Sequence, residues 1–397
     1  MKEQVPPPFE PATTSSPVDL RADSVSALRR NVKRRSFLRG LGAAGAVVPM
    51  GGLLATKANA APSKPTKGDI AILQFLLAVE LIETDLWQQY NELGGVNGGN
   101  PAYIAALSNL DGDMPQYIAD NTDDEMSHST FLKAYLESIG ANPVSLDNFR
   151  NLPSSHATGA RNVGRLTNLQ ALNVDLSWYT RYRGTGNPDL GAAFNSPFAI
   201  TNQPAIPLNN SDTPPDTSIP DPNDTPGSQF TGAVARMQAI ANTAGFHFAF
   251  IEQGGASLYT TMSLKATSVE VLRIIVCIGG AEINHFSVWH DKAGNAVSQP
   301  LAGVVDPVSK LKFPDLNNSP FGGESFQTNL IMPEPCQFLR ADLPECSVIR
   351  PSSTALGGAV ATIKAFTDDL LFFNQPPAFL NLLMDLAVAA DAAERLG

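Results

Sequence analysis

Two Glu-x-x-His motifs, each preceded at a distance by a single glutamate, carry the most legible chemistry in this chain. The first set is Glu80 with Glu125-Met126-Ser127-His128, and the second is Glu252 with Glu282-Ile283-Asn284-His285. Residues three apart on a helix lie on one face about a turn apart. Each motif therefore offers one carboxylate and one imidazole to a single ion. Together the two sets supply four carboxylates and two imidazoles, the ligand inventory of a dinuclear metal site inside a four-helix bundle. Hard carboxylate oxygens with one imidazole per ion suit two iron or manganese ions. In such a site Glu125 and Glu282 bridge, Glu80 and Glu252 are terminal ligands, and His128 and His285 each cap one ion. Glu83, one turn from Glu80, is its rival for the terminal position. No other catalytic residue is indicated, and neither is an organic cofactor.

The repeat extends past the ligands and favours Glu80 over Glu83. Trp87 follows Glu80 by seven residues and Tyr259 follows Glu252 by seven. Seven residues is about two helical turns, so each aromatic shares a face with its glutamate. Glu80 and Glu125 are 45 residues apart, and Glu252 and Glu282 are 30 apart. Both spacings suit two antiparallel helices and a connection. The 127 residues between Glu125 and Glu252 are too many for a turn. The layout is helix pair, long crossover, helix pair.

Periodicity and punctuation place the elements. Asp69 is the expected N-cap of a first helix running to about Glu92, with Leu73, Leu76, Leu77, Glu80, Thr84 and Trp87 on its inward face. Pro101–Ser108 reads as a short helix. A second long helix runs from about Pro115 to Ile139 and stops at Gly140, facing inward with Tyr117, Ile118, Asn121, Glu125, His128 and Leu132. Leu166 to Tyr182 reads as a helix. Residues 184–228 are rich in Pro, Asn, Asp and Gly and read as irregular. A third long helix spans about Gln229 to Met262 and a fourth about Val269 to His290. One or two further helices are expected within 357–373 and 377–395. His156 reads as a surface residue and His247 as structural. His290 reads as lying near the ligands or at the surface. Gly254-Gly255 weakens its helix by about 1 kcal/mol per glycine, which suits a close helix approach. The fold class is mainly α.

These residues resemble the ferritin-like superfamily, and within it the ferritin-like-domain family that includes plant and bacterial desiccation-related proteins. The likeness rests on Leu77-Ala78-Val79-Glu80-Leu81-Ile82-Glu83, on Glu125-x-x-His128, on Phe250-Ile251-Glu252-Gln253-Gly254-Gly255-Ala256-Ser257-Leu258-Tyr259, and on Gly280-Ala281-Glu282-x-x-His285. It covers about residues 68–292 and implies a ferritin-like bundle with a long crossover insert over 141–228. Residues 293–397 form a loop-rich C-terminal extension outside the likeness. Two ions sharing carboxylates can move two electrons together. The expected function is an exported di-metal protein acting on O2, peroxide or Fe2+ in oxidative or desiccation stress. Two alternatives stand beside it: a non-catalytic stress or structural protein on the same scaffold, and a manganese catalase-like enzyme. Fold alone does not choose among them.

Charge and the N-terminus bound the setting. Residues 1–60 hold nine basic and four acidic residues, so the other 337 carry 18 basic and 34 acidic ones, a net charge of −16. Such a surface excludes nucleic acid and anionic membranes as partners and attracts cations. Lys33-Arg34-Arg35-Ser36-Phe37-Leu38-Arg39 is a twin-arginine pattern. A small apolar stretch from Gly40 to about Ala55 follows, then a small-x-small cleavage site at Ala58-Asn59-Ala60. Residues 1–60 thus read as a twin-arginine signal peptide and 61–67 as a linker. The precursor's partner is the twin-arginine export machinery, and the destination is the periplasm or exterior of a bacterium. No membrane span is expected after cleavage, and homo-oligomers are compatible with the C-terminal helices. Cys336 and Cys346 could bond in an oxidising compartment, though spacing alone does not settle the geometry. Cys277 reads as an inert core residue. Replacing Arg34 and Arg35 with Lys is expected to leave uncleaved precursor in the cytoplasm, scored by fractionation and blotting; normal cleavage of that double variant would remove the assignment.

Overall fold

Helix α1, Lys67–Gly94, is the centre of the architecture and is buried on nearly every side. The computed structural model describes residues 64–176, 199–214, 230–293, 303–313 and 358–396, with short pieces at 333–334, 340, 342–344 and 346–349. The expected signal peptide therefore lies outside the described residues. Leu73, Leu76, Leu77, Ile82, Leu86 and Trp87 of α1 are fully buried. Each such large side chain contributes about 1.5–3 kcal/mol by leaving water.

The start of α1 corrects one expectation. Thr66, not Asp69, is the N-cap, and the two residues form a reciprocal capping box. Thr66 Oγ1 accepts the Asp69 N–H at 3.1 Å, and the Asp69 carboxylate accepts the Thr66 N–H at 2.8 Å. Asp69 sits at the third helical position because its carboxylate also reaches the turn of a distant helix pair. It accepts the Thr267 N–H at 2.8 Å and the Ser268 N–H at 3.2 Å.

The bundle follows the expected layout. Helix α2, Pro101–Ser108, has Asn100 as N-cap and Pro at its first position. Helix α3, Met114–Ser138, ends where Gly140 takes φ +76, a conformation open to glycine without strain. Helix α4, Gly232–Lys265, and helix α5, Val269–Ala293, are joined by three residues. Helix α1 packs along α3, and α4 packs along α5. By length and apolarity α5 could cross a membrane, yet it carries the buried Glu282 and His285 on its packed face.

The crossover departs from the expected pattern at 166–182. Residues 177–182 lie outside the described residues, and before them the chain forms strand β1, Leu172–Asp175, paired antiparallel with β2, Ala199–Gln203. Two causes override the helical reading. Leu172 and Val174 are buried while Asn173 and Asp175 are less so, a two-residue period. The backbone N–H groups of Leu166 and Thr167 are also claimed by the buried Asp85 carboxylate of α1, at 2.9 and 3.0 Å. Asp85 further accepts Thr167 Oγ1 at 2.8 Å and Arg150 Nη1 at 2.7 Å. One carboxylate thus fastens the crossover to the bundle.

The C-terminal segment belongs to the same compact unit as the bundle, residues 60–397. Short strands β3, Pro333–Glu334, and β4, Cys346–Ser347, pair with each other. Cys336 lies outside the described residues. Helix α6, Gly358–Asp368, has its first N–H groups, those of Ala359 and Val360, capped by Asp391 at 3.1 and 2.9 Å. Helix α7, Pro377–Asp391, packs on α1 and α6. The two ends of the body meet there, since a β-carbon on Gly68 would lie 3.2 Å from that of Ala393. Thr66→Ala is expected to cost about 1 kcal/mol, the value of a lost cap. Asp69→Ala should cost about 2–3 kcal/mol, because it also strands N–H groups of the α4–α5 turn. Chemical denaturation compares the two; equal losses would show that Asp69 does no more than cap.

Candidate metal centre

Glu80 on α1, Glu125 and His128 on α3, Glu252 on α4, and Glu282 and His285 on α5 point into one volume at the middle of the bundle. All four carboxylates are fully buried, and the two imidazoles nearly so. Two overlapping sets of ligand atoms form, each with its members within 4.8 Å of one another. One set is Glu80, Glu125, His128 and Glu282; the other is Glu125, Glu252, Glu282 and His285. Glu125 and Glu282 belong to both. Glu83 belongs to neither, although it is buried one turn from Glu80.

Both imidazoles turn Nδ1 to the centre. His128 Nδ1 lies 3.3 Å from Glu80 Oε2, 3.2 Å from Glu125 Oε2 and 3.2 Å from Glu282 Oε1. His285 Nδ1 lies 3.1 Å from Glu125 Oε1 and 3.4 Å from Glu252 Oε2. The rings are 6.1 Å apart. Asp124 approaches the far nitrogen of His285 at 3.3 Å and orients the ring.

The aromatics of the repeat cross over. Trp87 Nε1 donates to Glu252 at 3.0 Å, and the Tyr259 hydroxyl donates to Glu80. Each aromatic therefore holds the glutamate of the other half, not its own. Asn121 adds donors to Glu125 at 2.9 Å and to Glu252 at 3.1 Å, and is itself held by Trp289 Nε1 at 2.8 Å. Two glycines make room on α4 and α5. A β-carbon on Gly255 would meet Glu282 Oε2 at 2.7 Å, and one on Gly279 would meet the β-carbon of Tyr259 at 2.8 Å.

A family match follows this geometry. The sequence model of the ferritin-like domain matches residues 68–295, more than half of the 397. The chain belongs to the ferritin-like domain family. No curated protein and no solved structure matches it.

Electrostatics set the state of this ferritin-like centre without ions. Burial pushes Glu80 up to about 8, with the Glu125 charge adding and His128 opposing. Burial likewise raises Glu83 and Glu282 well above the carboxylate range, helped by neighbouring carboxylates, and raises Glu252 despite His285. Burial works against Glu125 too, but the neighbouring His128 and His285 imidazoles outweigh it and hold Glu125 down at about 2. Burial alone would lower the imidazoles; the surrounding carboxylates overcome it and push both far above their ordinary range. Protons thus occupy the positions that cations would otherwise take.

The donor set fits hard cations. Glu80 Oε2, Glu252 Oε2, both Glu282 oxygens and His285 Nδ1 are buried without a hydrogen-bond partner. Buried polar atoms without partners are costly, and all of these converge on the same two positions. Beside His128 a cavity of about 410 Å3, lined by Phe131, Arg273, Ile274, Cys277 and Ile278, opens to the surface. Cys277 is exposed there, which corrects its reading as a core residue, since the face of α5 beside the cavity is uncovered. His156 is exposed as expected, and His290 is buried against Phe286 rather than at the surface.

Trp289 and the donor role of Asn121, itself read as inward-facing, were not drawn from the sequence, yet both carry a signal at helical spacing. Asn121 lies four before Glu125 and Trp289 four after His285, on the ligand-bearing faces. Gly255→Ala is expected to leave the metal-free fold at least as stable, as alanine favours helix by about 1 kcal/mol. It should also displace the Glu282 carboxylate and weaken uptake of both ions. Isothermal titration with Mn2+ beside thermal melting reads both; unchanged affinity would show that the Glu282 position is unimportant.

Proposed function

We propose that the six converging side chains hold two iron or manganese ions and that the protein is an exported di-metal redox protein acting on O2, peroxide or Fe2+. The observation that carries the reading is the pair of overlapping ligand sets sharing Glu125 and Glu282. Glu125 and Glu282 would bridge, Glu80 with His128 would complete one position, and Glu252 with His285 the other. Bound ions of this kind supply two one-electron steps at one place. Export through the twin-arginine route, motivated by Arg34 and Arg35, suits a bundle that folds around its ions before crossing a membrane.

The chain's own residues do the remaining work. Trp87, Tyr259 and Asn121 orient carboxylate oxygens by donating to them. The four carboxylates are fully buried in a core that includes Leu77, Phe248, Phe286 and Trp289, which keeps water away from them. Glu83 is held protonated by burial and by the Glu282 charge, so it stores a proton one turn from Glu80. The cavity beside His128, mostly apolar in lining, gives small molecules a way toward the centre.

Reconstitution with Fe2+ or Mn2+ followed by elemental analysis tests the reading. The wild type should take up two ions per chain, Glu282→Gln should lose both, and His128→Ala should mainly lose one. Failure to bind either metal in excess would end the proposal. A pH profile gives a second check. A carboxyl whose folded value is raised from 4.5 to about 8 binds its proton more tightly folded than unfolded. Its contribution is present below 4.5 and lost as pH rises toward 8. The raised imidazoles act in the same direction above their ordinary 6.5. Thermal stability of metal-free protein should therefore fall from about 4.5 to about 8, and that of the metal-loaded protein should not, because ligand deprotonation favours the ion.

A further inference from the structure

Tyr90, His247 and Asp369 form a buried line of polar side chains that the metal centre does not use. The Tyr90 hydroxyl lies 2.7 Å from His247 Nδ1, and His247 Nε2 lies 3.1 Å from Asp369 Oδ2. All three are at most 2 % exposed. Burial raises the Tyr90 phenol well above its ordinary range, with Tyr103 and Asp369 adding, so Tyr90 keeps its O–H and donates it. His247 Nδ1 then accepts, and its Nε2–H donates to Asp369. The three come from α1, α4 and the turn after α6. Asp369 lies beyond the matched ferritin-like residues, so the C-terminal segment completes the line.

An aromatic path joins this line to the centre. The Trp87 ring is 5.6 Å from that of Tyr90, and Phe248 packs on both at 4.8 and 4.6 Å. Trp289 stacks on Trp87 at 5.2 Å. Trp87 Nε1 ends the path on Glu252 at 3.0 Å. The two ring types that can lose an electron within a protein's accessible range are thus adjacent, and the tyrosine has a base on its hydroxyl. That base matters because a phenol becomes strongly acidic once an electron leaves. In a dry interior the charged radical is unfavourable unless its proton departs as well.

We propose that Tyr90 is a one-electron redox residue, with His247 as its proton acceptor and Trp87 as the conduit toward Glu252. The direction of flow rests on the redox function proposed for the centre. A one-electron oxidant of the O2 or peroxide class, reacting at the centre, takes one electron from Trp87 and is reduced by one. Tyr90 returns an electron to Trp87. Its O–H bond breaks, and the proton passes to His247 Nδ1. The products are a neutral tyrosyl radical and an imidazolium that keeps its Nε2–H bond to the Asp369 carboxylate. Tyr103 donates to the Ala205 carbonyl, which cannot take its proton, and Tyr259 donates to Glu80, a carboxyl already counted in the ligand set.

The test uses the metal-free, full-length protein and photogenerated tris(bipyridyl)ruthenium(III), with persulfate as the terminal electron acceptor. Electron paramagnetic resonance of the frozen sample should show a tyrosyl radical. Pulsed measurement should show that radical coupled to an imidazole nitrogen. Tyr90→Phe should lose that coupled signal. His247→Gln, which keeps Tyr90, should lose the nitrogen coupling and most of the radical yield. A purely structural role for the line predicts the same spectrum in all three proteins, and that result would overturn the proposal. If a variant does not fold, the wild-type nitrogen coupling decides alone: its absence overturns the proposal. The centre holds no iron or manganese in this experiment, so its failure leaves the centre standing, whereas failure of metal uptake removes the centre and leaves Tyr90 to be judged on the radical.

Discussion

Five carboxyl groups, Glu80, Glu83, Glu125, Glu252 and Glu282, are buried together in the dry middle of the bundle, and the rest of the structure answers to that constraint. Charges of one sign cannot share a low-dielectric volume unless something positive lies between them. Without ions, two imidazoliums and several protons serve. With ions, the same oxygens have a better partner. Every helix of the bundle contributes a group, so the four helices are held in register by electrostatics as much as by apolar packing.

The crossed hydrogen bonds from Trp87 to Glu252 and from Tyr259 to Glu80 tie the two helix pairs to each other. A shift of α1 along α4 would break both at once. This coupling explains why α4 and α5 carry glycines at the crowded points. Gly255 leaves space for the Glu282 carboxylate and Gly279 for the Tyr259 ring. Backbone freedom is given up for helix stability elsewhere, and spent where two side chains must pass between helices.

Much of this was legible before any coordinates. The six converging side chains follow from helical spacing and repetition, because i and i+3 project to one side and a core helix does not bury a lone carboxylate. The four long bundle helices and the two C-terminal ones, with punctuation such as Gly140 after one end and Pro377 at one start, fall within about five residues of their expected bounds. The failures have a common cause in distant partners. Asp69 looked like a cap until its carboxylate was needed at Thr267 and Ser268. Leu166–Leu176 looked helical until Asp85, some eighty residues earlier, claimed its amides. Cys277 sits in an apolar run, but the run faces an open cavity. The partners of Tyr90 are equally invisible in sequence: His247 is 157 residues away, and Asp369 is another 122.

The meeting of Gly68 with Ala393 has a kinetic consequence. The helix at the centre of the architecture is synthesised well before the residues of α7 that cover its beginning. Nascent chain emerging from a ribosome can form the α1–α3 and α4–α5 pairs in turn, but it cannot shut the lower end of the bundle until residue 393 is out. Such sequence-distant closure is slow relative to local helix pairing. Closure of the fold therefore waits on α7, and a chain truncated within that helix would be left with an open seam along its central helix.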